Sequence, residues 1–421
     1  MERYFTQPYR FVPPYRSTFW YLWSRGYVMR TLRKRHGVTQ VHVEGLEHLR
    51  ESLSRQAGIL LTPNHCREAD PMAVGLMAGH LRQAVYFLAS AHLFRQGLLR
   101  RWLLRRLGGF SIWREGPDRK AIKESAHILA TAERPLVLFP EGTWFRRNDE
   151  VMPLQEGLTL IARQAAKQST RPLVVHPVGI VYWALRDPTR AVEARLAALE
   201  RRLGWAVQSA DVVSRIEKLG SAFLAVREIE FLGKPREGSI DQRLTFLVAK
   251  LVEWQEQQHL GRTQPGWVLE RIRRVRQHLT RQLLETQTPE RRAAIRRDLD
   301  VLLLAENLNA HSLQYLTARP THERLIETVQ RIEETLWDRE PAPVVPLGVC
   351  VRVGAARDLR GGDLDMQTLR QAIQLQVDQL RQAGPPAAWN CPPPVPLAVA
   401  SLPPAEKKTL DTSLAENWPS S

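Results

Sequence analysis

Cysteine is scarce in this chain. Cys66, Cys350 and Cys391 are the only three in 421 residues, too few and too scattered for a disulfide framework or a four-ligand zinc site, so a reducing compartment and no structural metal are expected. No run of 18 apolar residues occurs, which excludes an ordinary spanning helix. Arg10, Arg16 and Arg25 interrupt every apolar stretch near the start, which excludes a secretory signal peptide. Acidic residues are in deficit, 44 against 60 basic ones, for a net charge of +16. The deficit is uneven, because residues 1–120 hold twenty basic and only eight acidic side chains. Hydrophobic residues at 43% and charged residues at 25% exclude both wholesale disorder and a polytopic membrane protein. The length suits two or three domains of ordinary size.

Aromatic residues make up only 7% of the chain, yet ten of them fall between Tyr4 and Tyr27, including Tyr4, Phe5, Phe19, Trp20 and Trp23. Arg30, Arg33, Lys34 and Arg35 follow directly. Rings with a polar edge favour the headgroup level of a bilayer, and neighbouring cations are drawn to an anionic leaflet. Residues 1–36 therefore read as an interfacial arm and helix. A second interfacial candidate is the Leu- and Arg-rich stretch from His92 to Leu107, expected as one helix whose Arg heads snorkel around an apolar face. A basic surface also suits nucleic acid or an acidic carrier protein. Nucleic-acid binding needs aromatics interleaved with basic groups on a folded platform, and here they cluster in a Pro-containing arm, so a membrane surface is favoured and nucleic acid is not. The expected location is cytoplasmic, peripheral on the inner face of the cell membrane.

Between residues 39 and 181 short apolar runs alternate with helical stretches. Strands are expected at Gln40–Val43, Gly58–Thr62, Ala84–Leu88, Gly109–Trp113, Leu136–Phe139 and Pro172–Val181, with helices at Asp70–Gly79, residues 117–131 and Glu156–Gln168. This alternation predicts an α/β fold with a mostly parallel sheet flanked by helices. A further short strand is expected at Glu228–Leu232. The α/β domain is placed at 37–260, and residues 264–382 read as a mainly helical extension, with Val268, Ile272, Val275 and Leu279 at helical spacing and a strand at Val344–Val353. Residues 383–421 are Pro-rich and expected to be a disordered tail.

Chemistry concentrates at strand ends. The run Gly58–Thr62 leads into Pro63-Asn64-His65-Cys66-Arg67-Glu68-Ala69-Asp70 and then a helix. A five-residue separation lets Asp70 fold back onto one imidazole nitrogen of His65 and leaves the other as a proton acceptor, which makes a general base. The apolar strand Leu136–Phe139 ends in Pro140-Glu141-Gly142-Thr143, where Glu141 is expected to fix a substrate hydroxyl, Gly142 to allow close backbone approach and Thr143 to add a donor. Arg114 follows Gly108-Gly109-Phe110-Ser111-Ile112-Trp113, a placement suited to holding phosphate.

Taken in order, these residues resemble the 1-acylglycerol-3-phosphate acyltransferase family of glycerolipid acyltransferases. That family carries an N-H-x-x-x-x-D block, a G-x-x-x-[IV]-x-R block, an F-P-E-G-T-R block and a late apolar-Pro-apolar block. The matching stretches here are Asn64–Asp70, Gly108–Arg114, Phe139–Thr143 and Val175–Val178. The resemblance implies an α/β glycerolipid-acyltransferase fold and a membrane-associated enzyme. It implies acyl-CoA or acyl-carrier protein as co-substrate, a lysophospholipid acceptor, and neither cofactor nor metal. It places the general base on His65 and its orienting carboxylate on Asp70, with Arg114, Glu141, Gly142 and Thr143 holding the acceptor. Two cations of the family pattern are missing: Trp144 stands after Glu141-Gly142-Thr143, and Gln155 stands where a lysine is expected. Either Arg146 or Arg147 takes over, or the acceptor is a different lysolipid or a non-phosphate lipid against an apolar Trp144 wall. The alternative outside enzymology is a non-catalytic basic membrane-binding scaffold.

Overall fold

Residues 58–63, GILLTP, hold one hydroxyl and otherwise only apolar side chains, a composition that suits a strand covered on both faces. In the computed structural model, which describes residues 8–116, 118–207, 210–359 and 364–392, this segment is a central strand with all six residues buried. Ile59 and Leu61 pack on one side of the sheet with Val178 and Ile180, while Leu60 packs on the other with Leu136 and Val175. Among the described residues the strands are β1 (Val38–Glu44), β2 (Gly58–Pro63), β3 (Tyr86–Ser90), β4 (Gly109–Ile112), β5 (Leu136–Val137), β6 (Leu173–Ala184), β7 (Leu347–Val353) and β8 (Arg357–Asp358). All belong to one sheet of order β1-β7-β6-β2-β5-β3-β4, with β8 beside the start of β6. Every pairing is parallel except those of β6 with β7 and β8.

The helices are α1 (Phe19–Trp23), α2 (Arg25–His36), α3 (Leu46–Ser54), α4 (Asp70–Gly79), α5 (Leu98–Arg106), α6 (Arg119–Thr131), α7 (Gly157–Gln168), α8 (Thr189–Arg202), α9 (Val212–Leu232), α10 (Ile240–Leu260), α11 (Val268–Glu285), α12 (Pro289–Asn309), α13 (Leu313–Ala318), α14 (His322–Trp337) and α15 (Met366–Ala383). The fold is α/β with a mostly parallel sheet flanked by helices, as expected. Helices α9 to α12 share a separate core of Leu and Val, including Leu247, Val252, Leu279 and Leu299. Helix α15 lies against β6, where a Cβ on Gly179 would come within 2.7 Å of the Gln376 backbone, so glycine lets the two approach.

Four expectations are corrected. The sheet does not end at residue 260: β7, from the supposed extension, is inserted between β1 and β6, with Val41 opposite Val349 and Ile180 opposite Val351. Leu347, Val349, Val351 and Val353 thereby complete the main core. The strand expected at Glu228–Leu232 is the end of helix α9, which Asp211 caps by accepting from Val213 and Ser214 amides and which Gly233 terminates in the left-handed region. Glu228 there pairs with buried Arg243 at 2.7 Å, a tertiary contact that outweighs local β propensity. The helix expected from His92 to Leu107 is broken at Gly97, φ +112°, into a short 3-10 turn at Ala91–Arg95 and α5. In the Pro-rich tail, residues 384–392 are ordered, with Trp389 seated over Gly348 of β7. Residues 393–421, like Tyr4 and Phe5 of the aromatic arm, lie outside the described residues.

Candidate active site

Strand β2 delivers the chain to the turn that holds His65, and Asn64 fixes that turn. Its side-chain amide donates to Ile180 O at 3.0 Å and accepts from Ile180 N at 2.7 Å, so it imitates one more residue of strand pairing. His65 then donates its main-chain N–H to Glu141 Oε1 at 2.6 Å. Asp70 opens α4, and its fully buried carboxylate sits 2.8 Å from His65 Nδ1 through Oδ2. The same oxygen accepts from the Arg67 amide at 2.8 Å, and Oδ1 accepts from the Tyr182 hydroxyl at 2.6 Å. With the Cys66 thiol 3.8 Å from Oδ1 as a weaker fourth, these donors hold the carboxylate, which fixes the proton of the imidazole on Nδ1 and leaves Nε2 as the acceptor. Phe139 and Trp144 flank the imidazole, with ring centroids 4.2 and 5.9 Å away.

Behind this turn lies a buried polar network. Arg67 donates to Gln330 at 3.0 Å and approaches Glu327 at 3.4 Å, both on α14. Glu327 also accepts from the Tyr315 hydroxyl and the Asn148 amide, and burial pushes its carboxyl up to about 7. The helical extension therefore supports the His65 turn directly.

Beside it a cavity of about 1310 Å³ opens, with His65, Arg114, Gly142, Thr143 and Trp144 among its lining residues. Leu88, Leu103, Leu107 and Ile112 are among the apolar side chains of its remaining wall. A space this large and mainly apolar suits a long hydrocarbon chain.

The structure brings all six expected site residues to this place, with two different assignments of work. Glu141 does not present its carboxylate to a ligand: Oε1 takes the His65 amide, and Oε2 takes the Met152 amide at 2.9 Å. It positions the His65 turn, and burial pushes its carboxyl up to about 8. Gly142 adopts φ +80°, and Gln155 fills the space beside it, 3.1 Å from where a Cβ would be. Arg114 is reached by solvent from the cavity although protein encloses it, and that enclosure, with the nearby charge of Arg276, lowers its pKa. Neither Arg146 nor Arg147 replaces the missing cations. Arg146 is buried and bonded to Glu334 at 2.7 Å, and Arg147 pairs with Glu150 at 2.6 Å, both outside the cavity lining. His176 of the late block is structural, bonded to Ser52 and the Gly354 carbonyl.

Sequence reasoning missed Tyr182, which lies 112 residues from Asp70 in a mainly apolar strand. It also missed Arg273 and Arg276 of α11, which line the cavity. The one signal for these was their placement opposite the apolar stripe of α11, which any solvated face shares.

A family model described as Acyltransferase matches residues 40–181. A stretch of 79 residues, 19% of the chain, is 35% identical to a 1-acyl-sn-glycerol-3-phosphate acyltransferase of Streptococcus pneumoniae and covers 28% of that protein. His65, Asp70, Arg114 and the Glu141–Thr143 turn all fall inside the residues that the Acyltransferase family model matches, and it is over residues 40–181 that the chain is similar to that family.

Proposed function

We propose that the protein moves a fatty acyl group from an acyl thioester, acyl-CoA or acyl-carrier protein, to the hydroxyl of a lysophospholipid such as 1-acylglycerol-3-phosphate. The observation that carries this reading is the 2.8 Å His65–Asp70 pair, with His65 lining a large, mainly apolar cavity. The acceptor hydroxyl gives its proton to His65 Nε2 as its oxygen attacks the thioester carbonyl. Asp70 stabilises the imidazolium so formed. The tetrahedral intermediate collapses with cleavage of the C–S bond, and the imidazolium returns its proton to the departing thiolate. The acceptor needs no protein nucleophile, and the cavity holds its chain and that of the donor.

The reading extends to a membrane surface as partner. Trp20 of α1 and Trp102 of α5 meet at 5.3 Å, and Arg106 stacks over Trp102 at 3.8 Å. Around this contact Phe19, Trp23, Tyr27, Leu98 and Leu99 are exposed, Trp23 at 75% and Leu98 at 84%. Leu99, Leu103 and Tyr27 also line the cavity, so the apolar patch borders its opening. A lipid acceptor would enter from a bilayer at this face, which the basic helix α5 borders. Among the described residues no helix is long and apolar enough to cross a membrane.

The test is thiol release from a long-chain acyl-CoA on liposomes carrying lysophosphatidate, for the wild type and His65→Ala. Acceptor-dependent release that disappears in the variant is expected. Equal release from both would remove His65 from the chemistry, and release only with another lysolipid would reassign the acceptor.

A further inference from the structure

Helix α11 brings a cation to the place where the family pattern has lost two. Leu269, Arg273, Arg276 and Gln277, spaced to share one helix face, line the cavity. Arg273 donates to Gln155, the residue standing in the lysine position, and Gln155 in turn abuts Gly142. Gln277 donates to the Arg114 carbonyl at 3.2 Å, and Arg276 is bonded to Glu115 at 3.0 Å and Glu306 at 2.7 Å. Three contacts thus tie this face of α11 to the end of β4 and the Glu141 loop. Two carboxylates neutralise Arg276. Arg114 and Arg273 also line the cavity and make no ion pair within 4 Å among the described residues, although Glu115 and Glu306 act on Arg114 from farther away. Guanidinium groups that line a cavity without a close ion-pair partner keep N–H donors available to an anion.

We propose that Arg273, together with Arg114, binds a phosphate ester in the cavity, so that the helical extension supplies the specificity-determining cation that Trp144 and Gln155 do not. Gln155 acts as the positioning residue, its side-chain oxygen holding the Arg273 guanidinium towards the cavity. The fork of a guanidinium matches a phosphate in a bidentate way that a lysine does not reproduce. The phosphate comes from one of two sources, the lysophospholipid headgroup or the nucleotide of acyl-CoA. Only this identification rests on the acyl-transfer reading; the anion site itself does not.

Binding is therefore measured without turnover, in full-length protein carrying His65→Ala, by titration calorimetry in a single detergent. Lysophosphatidate is compared with a monoacylglycerol of the same chain, and acyl-CoA with the matching acyl-pantetheine. Adding Arg273→Gln is expected to weaken one phosphate-bearing ligand at least tenfold while leaving its phosphate-free counterpart within twofold. Arg273→Lys should recover part of the loss. Arg274→Gln, on the exposed neighbour bonded to the Pro265 carbonyl, should change nothing. A loss confined to lysophosphatidate assigns the site to the acceptor, and one confined to acyl-CoA assigns it to the donor. Equal effects on ligands with and without phosphate, or no effect on any, would overturn the proposal. If phosphate-dependent binding is lost as expected while the wild type releases no thiol, the acyl-transfer reading fails and the anion site stands.

Discussion

Replacing Asp70 with asparagine removes one charge and almost no volume, at a position where the surroundings show what the amide must do. Four donors converge on the carboxylate: His65 Nδ1 and the Arg67 amide on Oδ2, and the Tyr182 hydroxyl with the more distant Cys66 thiol on Oδ1. The amide oxygen will take the place of Oδ2, where it satisfies two donors at once. Its NH₂ then faces Tyr182, whose hydroxyl must turn round and accept. The fold loses one buried charge-assisted bond, about 1–3 kcal/mol of stability. The imidazole keeps its proton on Nδ1, so what the variant lacks in the reaction is the anion beside the imidazolium. With hydrogen-bonded atoms 2.8 Å apart, the charge centres are about 4 Å apart, and at an effective dielectric near 20 their attraction is about 4 kcal/mol. Part of that is present in the ground state as an ion–dipole interaction, so roughly 3–4 kcal/mol of transition-state stabilisation disappears, a fall of about 10²–10³-fold in rate. Single-turnover thiol release from acyl-CoA measures it, with a circular dichroism melt to show that the variant is folded. A folded Asp70→Asn protein within fivefold of the wild-type rate would refute the general-base reasoning.

Glu141→Gln tests the support of the turn. Because burial raises the carboxyl to about 8 from its ordinary 4.5, the folded state holds a proton that the unfolded state releases. Wild-type stability therefore falls as pH climbs from about 4.5 to about 8 and is level above, by up to ~1.4 kcal/mol per pH unit. The glutamine variant lacks this slope, so its deficit relative to wild type should be largest near pH 5 and narrow by pH 8.5 in urea unfolding; an unchanged gap would contradict the protonation argument. For the membrane face, Trp23→Ala combined with Leu98→Ala removes two exposed apolar groups worth about 1.5–3 kcal/mol each when fully buried. Flotation with anionic vesicles should show at least a tenfold weaker partition, and a variant that floats like the wild type would move the docking face elsewhere.

What the sequence determined was local. His65 and Asp70 meet because a strand end, a turn and a helix start lie within one short stretch, and covalent continuity leaves them little choice of partner. The same holds for the Glu141-Gly142 turn and for Arg114 at the end of β4, each fixed by a strand that its apolar residues force into the core. Where local signals competed with distant ones they misled: Ile229 and Phe231 suggest a strand, but the Asp211 cap and the Glu228–Arg243 pair hold them in a helix. Glu141 reads as a ligand-facing carboxylate, and only the folded chain shows the two amides that occupy it.

The tertiary structure decided everything that depends on segments far apart in sequence. Nothing in residues 347–353 says that they will enter the sheet between β1 and β6, because an apolar strand fits any open edge and the choice is made by the register of its neighbours. Tyr182 becomes a donor to Asp70 only once β6 lies beside β2. Arg273 is one arginine among many until α11 packs across the cavity and sets it against Gln155. A charge has no direction in a sequence; it acquires one when packing removes water from part of its surroundings, and that is why the His65–Asp70 pair was legible and Arg273 was not.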